Sequence, residues 1–549
     1  MFRTAELGRK VSKDDFAEIA PALRIEMLEL QHRLRAFPFP VIVVFAGVDG
    51  AGKGESVNLL NEWMDPRWIE SHAYGEPSDE ERERPEFWRY WRDLPGKGRI
   101  GLFLSSWYSA PVLDHAHGRI GDAELDERLR QVAAFEKMLA DDGALILKFW
   151  MHLGKDAQRQ RLKKLEKDPL ESWRVTERDW QNWQMYDQFI AAAERTIRVT
   201  SAGHAPWALV EGSDARYRSL TVLTSLRDAM TRHMEAWELK RRVAEDLRKA
   251  EQAKEKEAAE PKAKTKGKGK AASEGARQGT GMLSVNLPHQ PTVLQSLDMT
   301  LTLDKDTYNE RLQEARARLH RLYRLANTHG VSTVLVFEGS DAAGKGGAIR
   351  RMTAALDARH YKVIPIAAPT DEERAHHYLW RFWRHVARAG RFTVFDRSWY
   401  GRVLVERVEG FASTEEWMRA YGEINTFEEQ LVDSGVVLGK FWLHITPEEQ
   451  LRRFEARKEI AWKQWKLTDE DWRNRDKWDD YEIAVNEMVE RTSTRKAPWT
   501  LVEANCKLHA RVKIIETVGD KLEAALCKAG ALPPPDEKTK AKGGKRKKG

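Results

Sequence analysis

Eight consecutive residues, Gly339-Ser340-Asp341-Ala342-Ala343-Gly344-Lys345-Gly346, have the types and spacing to hold a phosphate. Glycines let the backbone curl round an anion, so Gly339, Ala343, Gly344 and Gly346 can turn amide N–H groups towards it. Lys345 adds a mobile positive charge. A standard loop of this kind ends in Lys-Ser or Lys-Thr, whose hydroxyl helps to hold Mg2+. Here Gly346 follows Lys345, so a carboxylate must help to hold the metal or handle the proton. Asp341, inside the loop, is the candidate. Its plainer alternative is a helix cap or turn former.

The second cluster is Asp396-Arg397-Ser398-Trp399-Tyr400-Gly401-Arg402. A short apolar run, residues 392–395, would deliver Asp396 to the C-terminal end of a strand, where open α/β sheets bind ligands. There its carboxylate can reach a metal that bridges phosphates. Arg397 and Arg402 can neutralise a phosphoryl group in transfer, since the planar guanidinium matches phosphate oxygens. A structural salt bridge within the segment is the alternative.

Residues 446–480 are densely cationic. Arg452, Arg453, Arg457, Lys458, Lys463 and Lys466 interleave with Trp462, Trp465 and Trp472. Following a strand at 436–444, the stretch is expected to be a lid that closes over phosphates rather than a solvated helix face. Arg457, Lys463 and Lys466 are its candidate phosphate ligands. Further upstream, Arg374 is placed to bind an acceptor's phosphate, although the adjacent Asp371, Glu372 and Glu373 also suit a plain helix N-terminus. A Trp-rich helix is expected over 376–388. His376 and His377 are adjacent rather than at ligand spacing, and are expected at the surface.

These groups need a scaffold that brings them together. The loop at 339–346 follows a β-branched run, 331–337, and precedes a helical run, 347–356. A strand, a glycine loop and a helix form a phosphate cradle. A helical lead-in is expected before each loop. Phe16, Ile19, Leu23, Met27 and Leu30 form one, and Leu312, Leu319, Leu322 and Leu325 the other. Apolar runs at 41–45, 100–104, 144–150 and 207–210 alternate with helical stretches, which predicts doubly wound α/β modules with parallel sheets.

The chain is an internal repeat. Asp341 minus Asp49 is 292, and the same difference separates Trp380 from Trp88, Lys440 from Lys148 and Trp499 from Trp207. One offset covers residues 41–211 of the first copy without insertion or deletion, so the halves are duplicates of one fold. The loop recurs as Gly47-Val48-Asp49-Gly50-Ala51-Gly52-Lys53-Gly54. The second cluster does not recur. Leu104 stands opposite Asp396, Ser105 opposite Arg397 and Ala110 opposite Arg402. The first copy keeps a phosphate loop and is expected to be catalytically dead or nearly so.

The predicted organisation is an N-terminal module over 1–245, a basic linker over 246–290, a catalytic module over 291–532 and a disordered basic tail over 533–549. The linker and tail lack the apolar residues needed to order them. They read as solvated tethers, which argues against nucleic acid as a partner. Of 549 residues 41% are hydrophobic and 32% charged, as in soluble globular chains. No apolar run nears the roughly 18 residues that span a bilayer, and residues 1–10 lack the apolar core of a secretory signal. Two cysteines, Cys506 and Cys527, outside any CxxC, fit a reducing cytoplasm.

With these residues in place a family likeness can be stated. Gly339 to Gly346, Asp396 to Arg402 and the basic Trp462-Lys463-Gln464-Trp465-Lys466 resemble the family-2 polyphosphate kinases. The resemblance covers nearly the whole chain apart from linker and tail. It implies P-loop enzymes of thymidylate-kinase-like fold with helical lids, which move phosphate between inorganic polyphosphate and nucleotides with Mg2+. The fused layout resembles the branch that makes ADP from AMP, with the C-terminal copy active. By that likeness Asp341, Lys345, Asp396, Arg397 and Arg402 match catalytic positions, Asp341 and Asp396 being the metal ligands. The lid departs from the usual Asp-Pro-Leu, which the first copy keeps at Asp168-Pro169-Leu170 while the second has Ile460-Ala461-Trp462. A polyphosphate-dependent nucleoside diphosphate kinase, a conventional ATP-dependent nucleotide or small-molecule kinase, and a polyanion-binding protein remain as rivals. Base preference and oligomeric state are left open.

Overall fold

The computed structural model describes residues 1–259, 291–459 and 469–533. The first copy supplies β1 (Val41–Gly47), β2 (Ile69–Ala73), β3 (Ile100–Leu104), β4 (Leu145–His152) and β5 (Trp207–Glu211). The second supplies β6 (Thr333–Gly339), β7 (Tyr361–Pro365), β8 (Phe392–Asp396), β9 (Val437–His444) and β10 (Trp499–Glu503). The sheet orders are β2-β3-β1-β4-β5 and, read from the matching edge, β7-β8-β6-β9-β10. Every pairing is parallel. The expected pair of doubly wound α/β modules is present.

β1 and β6 are central, and each is buried for six of its seven residues. Burial on both faces explains why they read as unbroken apolar runs instead of alternating. In the second module the helix Lys305–Thr328 packs along Lys507–Lys528 on one face of the sheet. Leu319, Leu322, Leu335, Phe337, Ile514 and Val518 share that core. The first module repeats the arrangement with Lys13–Leu34 and the long helix Ala215–Ala259. Ile19 falls outside it. The buried stripe is Leu23, Met27, Leu30 and Leu34, with Phe16 and Ala20 packed against the same core, whereas Ile19 points away from it and is exposed. Ala215–Ala259 leaves the core after Trp237, and Leu239, Val243 and Leu247 are exposed beyond it.

The opposite faces of the two sheets belong to one core. Ile42 and Val44 of β1 and Val334 and Val336 of β6 lie in a single buried cluster. At its middle Trp91 and Trp383 stack across the modules, 5.9 Å between centroids. A polar seam flanks this contact. Arg388 bonds Glu83 at 2.8 Å, Arg419 bonds Asp142 at 2.9 Å, and the Lys97 backbone N–H donates to the Ala375 carbonyl at 2.8 Å.

This contact overturns two expectations for residues 376–388. The helix there is only Trp380–Trp383. Its Trp380, Phe382 and Trp383 are buried on more than one side, wedged between modules, and aromatics gain little from helical backbone. His377 is no surface residue either. It is 5% exposed, against Trp91 of the other module and 3.6 Å from the Glu423 carboxylate. His376, stacked on Trp380 at 3.9 Å, is half-buried at the same seam.

Candidate active site

The loop after β6 owes its shape to glycine. Gly339 has φ +152°, and a Cβ there would meet the Leu443 carbonyl oxygen of β9 at 2.5 Å. Gly344, at φ +111°, is the left-handed N-cap of the helix Lys345–Thr353. Lys345 bends back over the loop, its Nζ donating to the Gly339 carbonyl at 2.6 Å. The helix N-terminus and the ammonium thus face the same space.

Asp341 ties the loop to its surroundings. One carboxylate oxygen accepts from Asn474 at 2.9 Å, and the other meets Arg397 at 3.3 Å. Its own carbonyl accepts from Gln450 at 3.1 Å. Burial opposes the charge of Asp341, but Lys345, Asn474 and Arg397 outweigh it and hold the carboxyl below its usual range. Neighbouring Glu338, 5% exposed, accepts from the Ser398 hydroxyl at 2.8 Å, and there burial prevails and pushes the carboxyl up.

β8 ends at Asp396, in register with Phe337 of β6 and Pro365 of β7. Its carboxylate has no side-chain partner among the described residues. Arg397 follows in the left-handed region, φ +65°, a strained turn for a residue with a side chain. The turn is anchored from below. The Trp399 indole donates to Glu428 at 3.1 Å, the Tyr400 hydroxyl donates to it at 2.6 Å, and Lys440 donates to Glu428 at 2.7 Å and to the Thr492 carbonyl at 2.8 Å. All of this is buried. The first copy repeats it with Trp107, Tyr108, Glu136, Lys148 and Thr200. A network kept in both copies holds the fold of the turn, not its chemistry.

A cleft of about 860 Å³ gathers most of the candidates. Asp341, Ala343, Gly344, Lys345, Gly346, Asp396, Arg397 and Arg457 line it. Gly339 lies beneath the loop, on an adjoining smaller pocket. Two arginines are elsewhere. Arg374 is exposed and pairs with Asp371 at 2.8 Å in the capped turn Asp371–Arg374. Arg402 stacks on Tyr378 and pairs with Glu406 at 3.2 Å. Lys463, Lys466, Trp462 and Trp465 lie outside the described residues, as do 260–290 of the expected linker and 534–549 of the tail. Asp341 and Asp396 suit Mg2+, which commonly takes one or two carboxylates and completes its shell with phosphate and water. No denser cluster of metal-ligating side chains occurs among the described residues.

The cleft also holds cations that the motifs do not include: Arg350, Arg351, Lys507 and Arg511. Burial lowers the pKa of Arg511, aided by Arg351, and burial with Arg453 pushes Lys507 down to about 8. Cations crowded until they repel one another make an anion site. Arg453 is not one of its free charges. It is 3% exposed and pins the loop, donating to the Ala342 carbonyl at 2.9 Å and to the Ala504 carbonyl at 2.6 Å. A copy-to-copy comparison would have found the others, since Asn58, Leu59, Ala215 and Ser219 stand opposite Arg350, Arg351, Lys507 and Arg511.

The first copy differs most at the helix after its loop. Glu55 stands opposite Gly347 and pairs with Arg161 at 2.7 Å and with Arg218. Arg218 lies against Gly52, inside the curve of the loop. An internal carboxylate, with its own arginines, fills the place that an incoming phosphate chain would take.

Residues 10–237 and 302–529 each match the family model described as Polyphosphate kinase 2. A polyphosphate:AMP phosphotransferase of Pseudomonas aeruginosa is 49% identical over 526 residues, covering 96% of this chain and 99% of that one. A protein of the same name from Acinetobacter johnsonii is 33% identical, covering 91% and 96%. A GDP-polyphosphate phosphotransferase of Mycobacterium tuberculosis is 39% identical but covers only 38% of this chain. A crystal structure of a polyphosphate kinase 2 from Pseudomonas aeruginosa superposes with a TM-score of 0.81 at 46% identity, covering 96% of this chain and all of that one.

Proposed function

The chain belongs to the polyphosphate kinase 2 family, and from that premise we propose that its C-terminal module transfers the terminal phosphoryl group of inorganic polyphosphate to AMP, forming ADP. The relatives matched from end to end carry the AMP name. Those named for GDP match over 38–39% of the chain. That division favours AMP over a nucleoside diphosphate as acceptor. The chain is a kinase, and the observation that assigns its donor is the cleft of Arg350, Arg351, Lys507 and Arg511 beside the phosphate loop. A nucleoside triphosphate needs no such extended cation track.

An oxygen of the AMP phosphate attacks the terminal phosphorus of the polyphosphate in line. The new P–O bond makes ADP, and the bridging P–O bond breaks to leave a chain one unit shorter. The transition state is loose, so catalysis consists of positioning and charge stabilisation. The loop amides and Lys345 hold the phosphates at the helix N-terminus. Arg397 neutralises the equatorial oxygens in transfer. Asp341 and Asp396 are the residues that would hold Mg2+, which would offset phosphate charge when bound. Arg457 and the cleft cations keep the polyanion in register. Arg402 acts through the turn that carries Asp396, and Arg374 is assigned to the acceptor's phosphate. No helix among the described residues is long and apolar enough to cross a membrane, and the proposed setting is the cytoplasm.

The test is a donor–acceptor matrix of AMP, GMP, ADP and GDP against polyphosphate and ATP. AMP with polyphosphate should be the fastest pair. Faster turnover with ATP as donor, or with a diphosphate as acceptor, would replace this reading.

A further inference from the structure

The N-terminal module lacks the counterparts of Asp396, Arg397 and Arg402, yet beneath its loop it has a larger cavity than the catalytic module has at the matching place. A cavity of about 550 Å³ is lined by Asp49, Ser105, Trp150, Asn182, Tyr186 and Phe189. At the matching place the catalytic module has a pocket of about 100 Å³, lined by Asp341, Arg397, Trp442, Asn474, Trp478 and Tyr481. The difference arises from truncated side chains. Ala46 stands opposite Glu338, Ser105 opposite Arg397 and Ala110 opposite Arg402.

One truncation leaves a buried donor unanswered. In the catalytic module Ser398 donates to Glu338. Its counterpart Ser106, 1% exposed, faces Ala46 and has no hydrogen-bond partner among the described residues. Arg89, 8% exposed, lines the same cavity, with its Nε 3.6 Å from the Glu81 carboxylate and its other nitrogens reaching the Gly75 carbonyl at a long 3.4 Å. The Trp150 indole N–H is also unpartnered. Buried donors without acceptors are rare in folded proteins, and here the Ser106 hydroxyl and the Trp150 indole line one space, the indole matching an equally unpartnered Trp442 in the other copy.

We propose that this cavity is a second, non-catalytic binding site that takes a nucleoside monophosphate. The size suits a ligand of that class. Tyr90, Trp150, Tyr186 and Phe189 offer flat apolar walls to a base, Lys53 and Arg89 offer charge to a phosphate, and the Glu81 and Glu86 carboxylates accept from hydroxyl or amino groups. The other side of the loop is filled by Glu55, Arg161 and Arg218. A long phosphate chain is therefore shut out while a compact nucleotide is admitted. With Leu104 and Ser105 in place of Asp396 and Arg397, the bound nucleotide is held without reacting.

The experiment counts AMP bound per full-length chain by equilibrium dialysis, in wild type and in Ala46→Glu. The substitution returns a carboxylate to Ser106 and fills the cavity. One bound AMP per chain should be lost, whatever the catalytic module binds. Arg89→Ala should weaken the same site about tenfold or more. A melting curve like that of wild type establishes that each variant is folded. Equal stoichiometry in wild type and Ala46→Glu overturns the proposal. So does full competition at this site by pyrophosphate alone, or adenosine binding as tightly as AMP, since either removes one half of the nucleotide from the recognition. Because the readout is the Ala46→Glu-sensitive site, failure of AMP as the catalytic acceptor leaves the outcome interpretable.

Discussion

Arg218 reaches across the N-terminal phosphate loop to the carboxylate of Glu55, and the pair occupies the side on which the catalytic copy has Gly347, flanked by the guanidinium groups of Arg511 and Arg351. The two loops are near-copies in sequence, yet one is answered from within and the other awaits an external anion. The pair predicts that Glu55→Gly, made in a chain whose catalytic site is disabled by Asp396→Ala, tightens polyphosphate binding by freeing Arg161 and Arg218. ADP formation should not return, because Leu104 and Ser105 still lack the chemistry. Fluorescence titration with polyphosphate and a coupled ADP assay check the two parts.

Asp396→Ala in the otherwise intact chain should lower kcat for ADP formation by about 10³-fold or more. Its carboxylate supports no other side chain among the described residues, so stability should stay within about 0.5 kcal/mol of wild type. Urea melts beside turnover measurements separate these effects. Near-normal turnover would dismiss Asp396 from the metal site.

Lys507 gives the pH dependence a sign. Its pKa is pushed down to about 8, so the ammonium is charged below that pH and neutral above it. A cation is lost from the cleft as pH rises through 8, and kcat/KM for polyphosphate, which reports ionisations of the free enzyme, should fall from pH 7 to 9. One charge-assisted hydrogen bond sets the size, about tenfold. Lys507→Arg should flatten the profile, since a guanidinium stays charged throughout.

Lys440→Met should destabilise the protein by about 3–5 kcal/mol, because it strands the buried Glu428 charge. Lys148→Met should cost about the same through Glu136, measured by urea unfolding. A small effect at either position would mean that the network is dispensable to the fold.

The fold was largely legible because its signals are local. Each central strand is an apolar run before a glycine loop, and the constant offset carries any reading of one copy to the other. The loop, Asp396 and Arg397 were legible for the same reason, since each motif is contiguous. What escaped depends on distant packing. Lys507 and Arg511 reach the cleft from the helix after β10, some 160 residues beyond the loop. Arg453 looked like one more lid cation, and only tertiary structure shows its guanidinium spent on four carbonyls. His377 reads as a surface residue in the sequence because no local pattern announces that a second module covers it.

The core shared between the sheets, with Trp91 stacked on Trp383, makes the chain a dimer that cannot dilute apart. Two separate subunits with this interface would hold together only above some concentration, whereas covalent fusion keeps the partner at millimolar effective concentration. Selection on the first copy is thereby split. With the reaction in the second copy, as proposed, its outward chemistry can drift, while its inward aromatic wall must persist, because the other copy would otherwise turn an apolar face to water. A gene that lost the first half would lose the enzyme through insolubility, with every catalytic residue still encoded.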